Sequence, residues 1–254
     1  MGRKMQIWWV DDPCGRIYVF IAQALLAASA LLGLCQAVQF GPAANPFLVW
    51  HEVTWILAAW CHLATALQDP GTVPRGFAEA LAPPPLEDIE TSPPVRWCKH
   101  CQLAKTYRVH HCSTCQRCIR KMDHHCIWMN NCIGACNQKQ FLLVLLYTSL
   151  HCAGASLSSL VCIVMTDIEE LRGASVAALL LTLSAGRFVF LMLLDQVSAI
   201  RRNQTGIEAL KGTPGEPRPF RTSAQEVFGA PPGWRWLLPL RAARSEDSAW
   251  GCVI

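Results

Sequence analysis

Four stretches of this chain are too long and too apolar for a soluble domain of its size. Residues 17–40 carry no charged side chain in 24 positions, and residues 141–165 carry none in 25. Residues 47–67 carry only Glu52, and residues 174–197 only Arg187 and Asp195. A helix of about 20 residues crosses a bilayer core of about 30 Å. In lipid the backbone must satisfy its own polar groups, so helices are the expected form. Composition agrees, with 52% hydrophobic and 16% charged residues. The expected fold is therefore an α-helical integral membrane protein with four transmembrane helices. Polar side chains in the spans are too few to line a transport pathway. Among them, Glu52 is expected to reach water at a span end, and Arg187 to face the bundle interior with Asp195 as its candidate partner.

The net charge is only +4, but its placement is uneven. Nine Lys and Arg residues fall within residues 68–140 and eight within 198–254, whereas the connection at residues 41–46 has none. The positive-inside rule then puts both termini and the long central loop in the cytosol. Topology thus accounts for the basic residues, and no nucleic-acid partner is expected. The lipid bilayer is the partner that the composition demands.

The central loop holds the second constraint. Residues 97–132 contain seven of the fourteen cysteines and five of the eight histidines. Cys98 and Cys101 form one pair, His111, Cys112, Cys115 and Cys118 a denser cluster, and His124, His125, Cys126 and Cys132 close the stretch. Cysteines two residues apart can aim both sulfurs at one ion, and a tetrahedral zinc site takes four such ligands. A reducing cytosol favours metal over disulfides for these thiols. Two Cys3His sites use six cysteines and leave one. Spacing alone does not choose it, nor decide among His100, His110, His111, His124 and His125. Cys126 is the best candidate, because a thiol beside an imidazole ionises near neutral pH and the thiolate is the nucleophile.

Asp123-His124-His125-Cys126 is a DHHC tetrapeptide, and the stretch around it resembles the cysteine-rich domain of the DHHC family of protein S-acyltransferases (palmitoyltransferases). Asp69-Pro70-Gly71 matches the family's DPG motif. Thr205 and Glu208 match its TTxE motif, with Gly206 in place of the second Thr. The aromatic run at residues 227–240 resembles its C-terminal element. Ile127 and Ser223 stand where Pro and Asn are usual. The resemblance implies two structural Zn2+ ions, one on Cys98, Cys101, His111 and Cys118, the other on Cys112, Cys115, His125 and Cys132. It makes Cys126 the acyl-accepting nucleophile, His124 its base and Asp123 the group that orients the base. It implies acyl-CoA (palmitoyl-CoA) as co-substrate and cysteine-containing membrane-associated proteins as substrates. Of the basic residues Lys105, Arg108, Arg120 and Lys121, it favours Lys105 and Arg108 for the CoA phosphates, and Trp128 is placed to cover the acyl chain near its thioester. A membrane-anchored zinc scaffold without activity is the rival reading, and the spare Cys126 with its Asp-His partners separates the two.

The expected organisation is residues 1–67 for the N-terminus and first two spans, 68–97 for the DPG motif and a Pro-rich linker, and 98–140 for the zinc domain. Residues 141–197 hold the last two spans and 198–254 a cytosolic tail. The expected compartment is the Golgi or endoplasmic reticulum membrane rather than the plasma membrane.

Overall fold

The structure is a computed structural model, and it describes residues 8–41, 45–74, 96–105, 108–240 and 242. Residues 75–95, most of the DPG and Pro-rich linker segment expected at 68–97, and the tail beyond residue 242 lie outside the described residues.

Four helices among the described residues are long and apolar enough to cross a membrane. They are α1 (Pro13–Phe40), α2 (Asn45–Leu67), α3 (Gln138–Met165) and α4 (Glu169–Arg201). Each contains the apolar run read from the sequence and extends it by a few residues. The chain is a multi-pass membrane protein. Asp12 caps α1 by accepting a hydrogen bond from the Cys14 amide, and Pro13 follows it at the first helical position, where no amide is needed. Helix α3 packs against both α2 and α4.

Polar side chains inside the bundle bond to one another, as buried polar groups must. Gln36 of α1 is buried, donates to Ser175 of α4 at 3.0 Å and accepts from Ser158 of α3 at 2.8 Å. The rings of His51 and His151 lie 4.4 Å apart. Arg187 departs from expectation, since both it and Asp195 lie on the exposed face of α4. Near Arg187, the residues that α4 turns inward include Val189, Met192 and Leu193. Residue 187 is two positions from 189 and so on the far side of the helix.

Between α2 and α3 the chain forms short antiparallel hairpins: β1 (Arg96–Cys98) with β2 (Leu103–Lys105), β3 (Val109–Cys112) with β4 (Arg117–Arg120), and β5 (His124–Cys126) with β6 (Asn131–Ile133). Strands of three or four residues do not hold a fold by themselves. The Asp69-Pro70-Gly71 segment docks on them. The Asp69 carboxylate accepts from the Gly71 and Thr72 amides and the Thr72 hydroxyl at 2.7–2.8 Å. Gly71, at φ +106°, turns the chain so that Val73 donates to Cys118 and Arg120 donates back to Gly71, both at 2.9 Å. Gly134 admits this segment, because a Cβ there would lie 2.5 Å from the Pro70 carbonyl oxygen.

Asn131 ties the hairpins to the bundle. Its amide donates to the carbonyls of Thr65 and Gln68 at the end of α2, and its oxygen accepts from the Trp8 indole at 3.0 Å. Beyond α4 come the short helices α5 (Gly206–Leu210) and α6 (Phe220–Phe228) and a 3-10 turn at Trp234–Trp236. Buried Lys139 at the start of α3 holds that last turn through the Arg235 and Leu240 carbonyls at 2.8 and 2.9 Å.

Candidate active site and metal centres

The hairpins explain how a dense run of ligands is sorted. Successive strand residues point to opposite faces. In the β3–β4 register His111 lies opposite Cys118, while the next residue, Cys112, turns the other way. In β5–β6 His125 lies opposite Cys132. Two groups result: Cys98, Cys101, His111 and Cys118, and Cys112, Cys115, His125 and Cys132. Within each group the donor atoms lie within 4.8 Å of one another.

The donor spacings fit a tetrahedral ion. Zinc–sulfur and zinc–nitrogen bonds of about 2.3 and 2.0 Å put neighbouring donors roughly 3.5–3.8 Å apart. In the first group His111 Nδ1 lies 3.3 and 3.9 Å from the sulfurs of Cys101 and Cys118. In the second, His125 Nδ1 lies 3.4–3.6 Å from all three sulfurs, and Cys115 and Cys132 are 3.5 Å apart. Three thiolates and one imidazole form the Cys3His set of structural zinc. His100, which spacing left open, stacks on His111 with ring centroids 4.8 Å apart.

The same alternation that aims His125 at the metal turns its strand neighbours away. Cys126 is 6% exposed and belongs to an apolar cluster with Ala58, Ile133, Phe141 and Leu143. Leu26, Leu57 and Met192 of α1, α2 and α4 pack against it. The ring of His124 meets Phe141 edge-on at 5.4 Å. Its Nδ1 donates to Asp123 Oδ2 at 2.7 Å. Its Nε2 is buried with no hydrogen-bond partner among the described residues. Burial opposes a charge on His124, but the Asp123 carboxylate and then Cys126 outweigh it and raise the pKa to about 9. Burial likewise opposes the Asp123 carboxylate, yet His124 first, then the Gly206 amide and Gln196, hold its pKa below the ordinary value.

Those last two groups were not legible in the sequence. Gln196 of α4 donates to Asp123 Oδ2 at 3.0 Å, and the Gly206 amide donates to Oδ1 at 2.6 Å. The missing Thr side chain at 206 therefore leaves a backbone donor on the carboxylate. A Cβ at this position would meet the Asp123 carbonyl oxygen at 3.3 Å. Thr205 and Glu208 form a capping box, whose three-residue spacing is visible in sequence.

Arg108 requires a correction. It is 4% exposed, and its guanidinium bonds Glu208 through Nε at 2.7 Å and Nη2 at 2.9 Å, and Asn203 through Nη1 at 3.0 Å. A guanidinium so buried and so fully engaged is not free for a CoA phosphate. Lys121 is similarly buried and pairs with Glu226, which also pairs with Arg218. Lys105 remains half-exposed on β2. Trp128 follows Cys126 in a 3-10 turn (Ile127–Met129), packs edge-on against Tyr18 at 5.0 Å, and is held through its carbonyl by His62 Nε2 at 3.0 Å. Ile127 opens that turn, a position that accepts Pro and other residues alike.

A membrane-embedded protein with two Cys3His centres, and an unligated cysteine beside an Asp-His pair at the mouth of its helix bundle, is the architecture of a lipid-handling thiol acyltransferase. The chain belongs to the DHHC palmitoyltransferase family. The family model described as "DHHC palmitoyltransferase" matches residues 91–213. "Palmitoyltransferase ZDHHC7" of Mus musculus is 31% identical over 257 residues, covering 92% of this chain and 81% of the relative. "Palmitoyltransferase ZDHHC3-A" of Danio rerio is 32% identical over 277 residues, covering 97% and 84%. "Probable protein S-acyltransferase 13" of Arabidopsis thaliana is 35% identical over 216 residues, covering 76% and 71%. Protein S-acylation is thus the class of this chain's activity.

Proposed function

We propose that the chain transfers a long-chain acyl group, palmitoyl by the names of its relatives, from acyl-CoA to cysteines of membrane-associated proteins through an acyl-enzyme on Cys126. The observation that carries this reading is the position of Cys126. It belongs to neither ligand set, and it faces the apolar cluster while its neighbours, buried Asp123 and half-buried His124, form a hydrogen-bonded acid–base pair.

In the first step the Cys126 thiol gives its proton to His124 Nε2 and its sulfur attacks the thioester carbonyl. The carbon–sulfur bond to CoA breaks, and the CoA thiolate leaves with that proton. In the second step the thiol of the protein substrate gives its proton to His124 and attacks the Cys126 thioester, and Cys126 is regenerated. One thioester replaces another, so no other energy source is required. Asp123 holds the Nδ1 proton, which leaves Nε2 as the transferring atom. The Asp123 carboxylate against Nδ1 favours the protonated ring that this transfer produces. Zinc, when bound, cross-links the hairpins that carry Cys126, and no step of the transfer runs through it.

The apolar cluster gives the acyl chain a seat. Burying a chain of this length avoids a cost on the order of 10 kcal/mol, at about 0.8 kcal/mol per CH2. Trp128 closes that seat beside the thioester, and Lys105 meets a CoA phosphate. Cytosolic termini and hairpins, as the placement of the basic residues has them, and a Golgi or endoplasmic reticulum location complete the reading.

The test is incubation of purified protein with labelled palmitoyl-CoA, followed by neutral hydroxylamine. Hydroxylamine-labile label, lost in Cys126→Ser with zinc content unchanged, is the expected result. Label retained by Cys126→Ser would overturn the nucleophile, and no label on zinc-replete wild-type protein would favour a scaffold.

A further inference from the structure

We infer that Gln196 is a positioning residue that fixes the Asp123 carboxylate and, through it, the His124 ring. The inference rests on the reading of Asp123 and His124 given above. Gln196 is 4% exposed, and its Nε2 lies 3.0 Å from Asp123 Oδ2, the oxygen that also accepts from His124 Nδ1 at 2.7 Å.

Two features argue that this contact is more than packing. First, the amide is used on one side alone. Gln196 Oε1 is buried without a hydrogen-bond partner among the described residues. A buried orphan acceptor is costly, and a side chain kept solely to fill space would be more stable as an apolar one. The opposite amide orientation would set Oε1 against a carboxylate, so the N–H toward Asp123 is the only favourable one. Second, Gln196 sits on a working face of α4. Val189, Met192 and Leu193 of α4 pack against the apolar cluster that contains Cys126. Gln196 follows them at the three-, four- and seven-residue spacings that share one helix face. The helix that walls the apolar cluster therefore also sets the carboxylate, and a shift of α4 along or about its axis moves both.

The carboxylate is clamped from two directions, because the Gly206 amide takes Oδ1 at 2.6 Å. With Gln196 removed, Oδ2 keeps only His124, and Asp123 gains freedom about its terminal torsion. The imidazole then loses its fixed plane relative to Cys126 while every reacting group stays in place.

The experiment measures single-turnover acyl-enzyme formation from palmitoyl-CoA in Gln196→Met, Gln196→His, Asp123→Asn and the Gln196→Met/Asp123→Asn pair, with Cys126→Ser as the blank. Gln196→Met keeps the length and removes the donor. Gln196→His restores an N–H at about the same reach. The expected result is a ten- to hundredfold slower acylation in Gln196→Met at unchanged KM for palmitoyl-CoA. Gln196→His recovers most of the rate. In the Asp123→Asn background the Met substitution costs nothing further, since residues that act through one another are not additive. A twofold or smaller loss in Gln196→Met, a rise in KM alone, or an equal loss with and without Asp123 would overturn the inference. If Gln196→Met fails to retain two zinc ions, Gln196→Asn, which stays polar but falls one methylene short, carries the same prediction. If Asp123→Asn acylates at the wild-type rate, or Cys126→Ser acquires hydroxylamine-labile label, the reading of the catalytic residues has failed, and that outcome is distinct from a Gln196 variant without effect.

Discussion

Asp123 accepts hydrogen bonds from His124, Gln196 and Gly206, three donors on three separate elements. Replacing it with Asn puts an amide where only acceptors are wanted, so one donor must lose its partner or the side chain must rotate. The charge that lifts His124 is lost as well. Asp123→Asn should slow acyl-enzyme formation by about a hundredfold or more, within the range ascribed to general acid–base catalysis. Its zinc content should stay at two per chain, because the carboxylate touches neither donor group. A single-turnover rate alongside metal analysis checks both halves. Loss of zinc together with rate would recast Asp123 as structural. Gly206→Thr belongs to the same scale. The amide donor survives, but a Cβ 3.3–3.4 Å from Asp123 must push it by a few tenths of an ångström. The expected outcome is a modest loss of rate, smaller than that of Asp123→Asn, in the same assay.

At the level of elements, the segment after α4 is pinned to the hairpins by ion pairs, a buried one between Arg108 and Glu208 and a half-buried one joining Lys121, Glu226 and Arg218. Removing one partner of such a pair leaves a buried charge alone, at a cost of about 3–5 kcal/mol. Glu208→Gln should therefore lower the unfolding midpoint of the detergent-solubilised protein and expose the 202–218 segment to protease. Arg108→Lys should do the same without raising the KM for palmitoyl-CoA in the protein that remains folded. A raised KM with unchanged stability would return Arg108 to phosphate binding. This is where the sequence was least legible. Helices α1 to α4 could be read because each holds a long apolar run with at most two charges, and the metal donors because their spacing is local. The partner of Arg108 lies 100 positions away, and Gln196 looks like one more polar residue at a helix end. Nothing local distinguishes a basic residue that waits for phosphate from one that is already paired. The inward direction assigned to Arg187 failed for a related reason, since a helix that is apolar on nearly every side carries too weak a periodicity to say which face is inner.

Taken whole, the molecule joins two bodies with different sources of stability. In lipid the four helices satisfy their backbones internally and need no metal. The hairpins have strands of three or four residues, and four of the eight buried apolar side chains that residues 96–133 give to these clusters are ligand cysteines. Metal binding is then folding energy for the second body alone. A chelator strong enough to strip both sites should abolish hydroxylamine-labile labelling of Cys126. It should leave the helical circular dichroism at 222 nm nearly unchanged, because α1 to α4 account for most helical residues. Limited proteolysis should show new cuts within residues 96–133, since without metal the hairpins are held only at separate points, among them Asn131 against α2 and the 69–73 segment against Cys118 and Arg120. Labelling that survives full zinc removal would mean that the helix ends alone hold Cys126 and His124 in register. Collapse of the 222 nm signal would mean that the bundle depends on the hairpins. Retained helices with lost labelling is the outcome that the two-body architecture requires.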